Sequence, residues 1–89
     1  MPRYVGLHTL PGFTKEMLAQ ATPHPDRQEA TFVRAYTGFK EGKVVCEWEA
    51  ADKDQVARSY SALGFPFDEI VLVGAICDAG EPGVTTRFM

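Results

Sequence analysis

Basic residues, cysteine and long apolar runs are all scarce in this sequence, and each scarcity removes a class of protein. Nine lysines and arginines stand against twelve acids, a net charge of -3. That balance offers no electrostatic grip on a polyphosphate backbone, so nucleic acid is not an expected partner. Two cysteines, Cys46 and Cys77, are too few for a disulfide framework and lack the close spacing of a zinc knuckle or a redox pair. Both read as free thiols. The longest apolar stretch, Ile70 to Cys77, is too short to span a bilayer. Met1 to Val5 does not begin a secretory leader, so the expectation is a cytoplasmic protein with no membrane partner. A glycine-rich phosphate loop and a nucleophile elbow are also missing.

What remains is one small domain with an ordinary core: 89 residues, 45% hydrophobic and 24% charged, a composition at odds with disorder. Arg3 to Leu10 is β-compatible and stops at Pro11-Gly12, which predicts a first strand. Thr14 is placed to cap a short helix from Lys15 to Ala21, ended by Pro23 and Pro25. Thr31 to Thr37 and Lys43 to Ala50 read as two strands joined by a hairpin over Gly38 to Gly42. Asp52 caps a second helix whose Val56, Ala57, Tyr60 and Leu63 share one face, with Gly64 at its C-cap. Glu69 to Ile76 reads as a fourth strand, apolar on both faces as if both were covered.

The order βαββαβ predicts an α+β fold of the ferredoxin-like kind, a four-stranded antiparallel sheet of order 4-1-3-2 with both helices on one face. Residues 1–77 form this domain, and 78–89 read as a C-terminal tail or arm. Period-two alternation assigns Val44, Cys46 and Trp48, with Val5 and Leu7, to the helix-covered face. Tyr4, Gly6, His8, Phe32, Arg34, Tyr36, Val45, Glu47 and Glu49 then share the open face. Large aromatics mixed with charges suit a homodimer interface enclosing a polar pocket. On that placement His8, Arg34, Tyr36, Glu47 and Glu49 are the candidate ligand-binding residues. Trp48 and Tyr60 are expected to pack between the third strand and the second helix.

Four segments carry a family resemblance: His8 within Gly6-Leu7-His8-Thr9-Leu10-Pro11-Gly12, Gly42-Lys43-Val44-Val45-Cys46, Glu49-Ala50-Ala51-Asp52, and Asp68-Glu69-Ile70. In these the chain resembles the small bacterial ferredoxin-like dimers described as nickel-responsive or nickel-binding, over roughly residues 2 to 76. The resemblance implies a divalent metal such as nickel. It also marks a departure, because Tyr60 and Leu63 stand where the family carries second-helix histidines, leaving His24 as a partial replacement. His8, Glu49 and Cys46 are the candidate metal ligands, combining imidazole, carboxylate and thiolate donors that nickel or zinc accepts.

Two other readings compete with metal or small-ligand binding at the open face. One is a cofactor-poor enzyme of the dimeric α+β barrel type, similar to small monooxygenases, with His8 and Tyr36 lining a pocket. The other is an oligomerisation module in which Val84 to Phe88 adds to a neighbour's sheet.

Overall fold

The computed structural model describes residues 1–21, 29–80 and 83–89; Pro23, His24 and Pro25 lie outside these. The chain runs β1 (Arg3–Thr9), α1 (Lys15–Gln20), β2 (Thr31–Gly38), β3 (Lys43–Glu49), α2 (Lys53–Leu63), β4 (Glu69–Leu72), β5 (Ala75–Ala79) and β6 (Val84–Phe88). This is an α+β protein built on antiparallel sheets, the larger in the order β2-β3-β1-β4.

Local chemistry sets the helix ends where the sequence placed them. The Thr14 hydroxyl accepts from the Met17 N–H at 3.2 Å, and the Asp52 carboxylate accepts from Gln55 N–H at 2.9 Å, each satisfying a donor that the first helical turn leaves free. Gly64 closes α2 at φ 68°, a left-handed turn that glycine takes without strain.

The core lies between the larger sheet and α2. Val44, Cys46 and Trp48 of β3 are buried against Val56 and Tyr60 of α2, as expected, and Leu18 of α1 packs at the margin of the same cluster. The Trp48 indole N–H donates to the Tyr60 hydroxyl at 2.7 Å, so two large side chains enter the core without leaving that donor unpaired.

The expected phase of β1 is reversed. Tyr4, Gly6 and His8 lie opposite Trp48, Cys46 and Val44 and are buried with them, whereas Val5 and Leu7 lie opposite Glu47 and Val45 on the open face. The cause is Gly6: a Cβ there would stand 2.7 Å from Tyr60 Cζ, inside the phenol. A residue without a side chain must therefore face the helix, and period two carries Tyr4 and His8 inward with it. On β2 a register shift between Phe32 and Arg34 places Phe32 beside Trp48 and Ala35 beside Cys46, while Arg34 and Tyr36 stay on the open face.

The fourth strand is also shorter than expected. It pairs with β1 only from Glu69 to Leu72, and Val73 N–H makes a last bond to the Arg3 carbonyl at 2.9 Å. There β1 ends, so the apolar run has no further partner and turns through Gly74. Residues from Ala75 onward pair instead with β6 in a separate two-stranded hairpin. As an edge strand β4 is not covered on both faces, and Val71 and Leu72 are exposed.

Gly6→Ala is expected to destabilise the fold by about 2–3 kcal/mol, since β-sheet backbone and a buried phenol must both shift. Urea unfolding checks this; a loss below about 1 kcal/mol would mean that Tyr60 has room to move.

Candidate functional site

The residues that the sequence grouped around His8 separate onto two faces. His8 is 2% exposed, and its ring lies edge-on to Tyr60 at 4.6 Å and tilted against Phe65 at 5.2 Å. Nδ1 is 2.7 Å from the Pro66 carbonyl oxygen. A carbonyl only accepts, so Nδ1 donates to it, and Nε2 is buried and without a partner among the described residues. The aromatic Phe65-Pro66-Phe67 connection, following the α2 cap, therefore fixes this imidazole.

Cys46 shares that face. Burial pushes its thiol above the ordinary value, outweighing the Tyr60 hydrogen bond that acts the other way. Burial likewise pushes the Tyr60 phenol up, with the nearby Cys46 adding to the effect. The Trp48 N–H, the Tyr60 hydroxyl and the Cys46 sulfur thus form a buried chain of neutral groups rather than a reactive thiolate.

The open face holds the charges. The Arg3 guanidinium reaches Glu49 Oε1 at 2.8 Å and Glu47 Oε2 at 3.4 Å, and Arg34 Nε lies 3.5 Å from Glu47 Oε1. Two cations and two carboxylates make a neutral cluster. Its Arg3–Glu47 end is well sheltered, with side chains 15% and 20% exposed, and Arg3 Nε is buried without a hydrogen-bond partner among the described residues. A cavity of about 290 Å³ adjoins it, lined by Arg3, Val5, Glu47, Val73, Ala75 and Ile76. Tyr36 lies farther along the same face, 60% exposed.

Of the expected ligand set, then, Arg34, Tyr36, Glu47 and Glu49 share a face, with Arg34, Glu47 and Glu49 in the charge cluster, and His8 does not belong. A His8–Tyr36 pocket does not form, because the two side chains lie on opposite faces of the sheet. The metal set fails similarly: His8 and Cys46 face the helix, while Glu49 is on the other face and about 17 Å along the strand from the level of His8. Among the described residues no three histidine, cysteine or carboxylate side chains are grouped to hold a metal ion. His24, a candidate by resemblance, lies outside the described residues. The orphaned His8 Nε2 is one good donor, but a neutral buried thiol and an aromatic wall do not complete a nickel site. Arg3 was missed because it was read as the start of a strand; its signal is cross-strand placement opposite Glu49, which only the register supplies.

An α+β chain with helices against one sheet face and a neutral charge cluster on the other is the class defined so far. Residues 4–73 match the family model described as nickel responsive protein SCO4226-like, and the chain belongs to that family. It is similar in structure to the crystal structure of SCO4226 from Streptomyces coelicolor A3(2), with a TM-score of 0.69 and 24% sequence identity over 80% of this chain and 94% of that one. At that identity the likeness speaks for the fold alone. Comparison with curated proteins finds no match.

The two raised groups make stability fall with rising pH. Both must remain protonated in the fold, so the unfolded chain releases their protons first, Cys46 from about pH 9 and Tyr60 from about pH 10. Stability from urea unfolding is expected to hold below about pH 9 and decline above it, and Cys46→Ala should move the onset up by about one pH unit. An unchanged onset in that variant would contradict this account of the thiol. Native Cys46 is also expected to resist a disulfide-exchange reagent until denaturant is added.

Proposed function

We infer that this member of the nickel responsive family is a small cytoplasmic homodimer of the ferredoxin-like type, a dimeric α+β barrel in which the open sheet faces of two copies oppose each other. The open face supports this: Val5, Leu7 and Val45 are only half-buried there, and Tyr36 and Val71 are exposed. The strand order and helix placement support the ferredoxin-like reading. Two free thiols suit a reducing compartment.

Its function on this reading is to hold a small neutral molecule in the cavity beside Arg3, and the observation that carries it is that cavity's lining, with Arg3 and Glu47 on one side and Val5, Val73, Ala75 and Ile76 on the other. A neutral oxygen acceptor suits Arg3 better than an anion, since the cluster is already balanced by Glu47 and Glu49. Val5, Val73, Ala75 and Ile76 ask for an apolar remainder. A short amide or ketone has both parts, with a dissociation constant on the order of millimolar for so few atoms. Nickel response is the family's description; on the donor geometry above, the described residues do not assemble a site for a resident nickel ion.

Adding isobutyramide or 2-butanone to the metal-free protein is expected to move the Arg3 Nε–H resonance along a saturable curve, with nickel ion giving no stoichiometric heat in calorimetry. No movement with either probe, or tight one-to-one nickel uptake, would overturn the ligand reading. Sedimentation equilibrium is expected to give a dimer that Val45→Asp converts to monomer; a wild-type monomer at about 100 μM would end the dimer reading.

A further inference from the structure

On the helix side of the sheet, away from the Arg3 cavity, two hollows meet at the end of α1. The inner one, about 230 Å³, lies between β2, β3 and α2, with Phe32, Ala35, Cys46, Trp48 and Tyr60 among its walls. Its origin is a run of short side chains beside tall ones. Ala35 and Cys46 are cross-strand partners, while the Phe32–Trp48 pair next to them is held edge to face at 5.3 Å. Helix α1 has only six residues and buries none of them, so it does not fill the space that its neighbours leave. The outer hollow, about 570 Å³, is an open groove walled by Leu10, Pro11 and Phe13, by Met17 of α1 and by Pro66. Ala21, Leu63 and Phe65 line both hollows.

The lining narrows what these hollows hold. In the inner one the polar side-chain atoms are already committed to each other: the Trp48 N–H donates to the Tyr60 hydroxyl at 2.7 Å, and that hydroxyl is hydrogen-bonded to the Cys46 thiol. Water there lacks the two or more partners it needs, and an apolar hollow of about 150 Å³ is already large enough to stay dry and bind benzene. The rings of Phe32, Trp48, Tyr60 and Phe65 around it suit a flat aromatic body. In the groove the polar side chains are the neutral Thr9 and Gln20. Among the described residues no charged side chain lines either hollow, so an ionised ligand would lose its hydration without gaining a counter-charge. Met17, 49% exposed at the groove, offers a flexible thioether that adapts to an apolar chain.

We propose that the space between α1, α2 and the sheet is a second ligand site, taking a neutral alkyl-substituted aromatic molecule with its ring in the inner hollow beside Trp48 and its alkyl chain in the groove at Met17. The site lies on the opposite face of the sheet from the Arg3 cavity. It goes beyond the function proposed above, since it needs neither that cavity's ligand nor a second copy. With no residue of its own buried, α1 is the wall that parts to admit the ring.

Trp48 is the only tryptophan, so its emission reads the inner hollow directly. Toluene is expected to change that emission along a saturable curve, with a dissociation constant on the order of millimolar. Butylbenzene is expected to bind at least tenfold more tightly, because its added methylenes leave water for the groove, and benzoate to give no saturable change. In the wild-type complex with butylbenzene, nuclear Overhauser contacts are expected from the ring to the Trp48 indole and from the terminal methyl to the Met17 methyl. Ala35→Leu fills the inner hollow, and is expected to weaken toluene binding at least tenfold while raising the urea midpoint, as a cavity-filling change does. No saturable change with toluene or butylbenzene, equal binding of benzoate, or Overhauser contacts at Tyr36 on the open face instead would overturn the site. Unchanged toluene binding in Ala35→Leu, or a lower urea midpoint from overpacking, would do so as well. The Arg3 resonance and the oligomeric state play no part in these readouts, so this site and the Arg3 cavity stand or fall separately.

Discussion

The phenol of Tyr60 occupies the space where a side chain on residue 6 would stand, and its hydroxyl accepts from the Trp48 indole above the middle of the sheet. That contact ties α2 to β1 and β3 at once. With Gly6 turned inward, Tyr4 and His8 follow, and Val5 and Leu7 are left to the open face. His8 then meets Tyr60 and Phe65, and its Nδ1 donates to the Pro66 carbonyl. The covered face becomes an aromatic core with neutral polar atoms threaded through it, poorly suited to holding a charged centre.

The open face inherits what the core refuses. Its charges cancel among Arg3, Arg34, Glu47 and Glu49, and the pair at the exposed Arg34 end adds only about 0–1 kcal/mol. Their larger effect is on compatibility: a neutral cluster within an apolar surface can be covered by a like surface at little electrostatic cost, whereas an unbalanced one would repel its own copy.

Much of the architecture was legible along the chain. Thr14 and Asp52 announced the helix starts, Gly64 an end, and Val56, Tyr60 and Leu63 the buried face, since capping and helical periodicity depend on neighbours a few residues away. The placement of Trp48 and Tyr60 between β3 and α2 was readable for the same reason, whereas the strand order followed from the usual arrangement of a βαββαβ chain. The candidate site was legible only in its outward half: Arg34, Tyr36, Glu47 and Glu49 were placed on the correct face. His8 was misplaced because Val5 and Leu7 looked like the inward pair, and alternation has two phases that differ only in which long-range neighbour each residue meets.

The sequence by itself determined the helix starts, the α2 cap at Gly64 and the buried faces of α2 and β3, all properties carried by local patterns. Tertiary structure decided the phase of β1, the length of β4, the fate of the apolar run after Val73 and the company kept by His8 and Arg3. Each of these turns on a contact between segments distant in the chain, Tyr60 against Gly6 and Glu49 opposite Arg3, where a single steric exclusion or a strand's end outweighs the hydrophobicity of the residues involved.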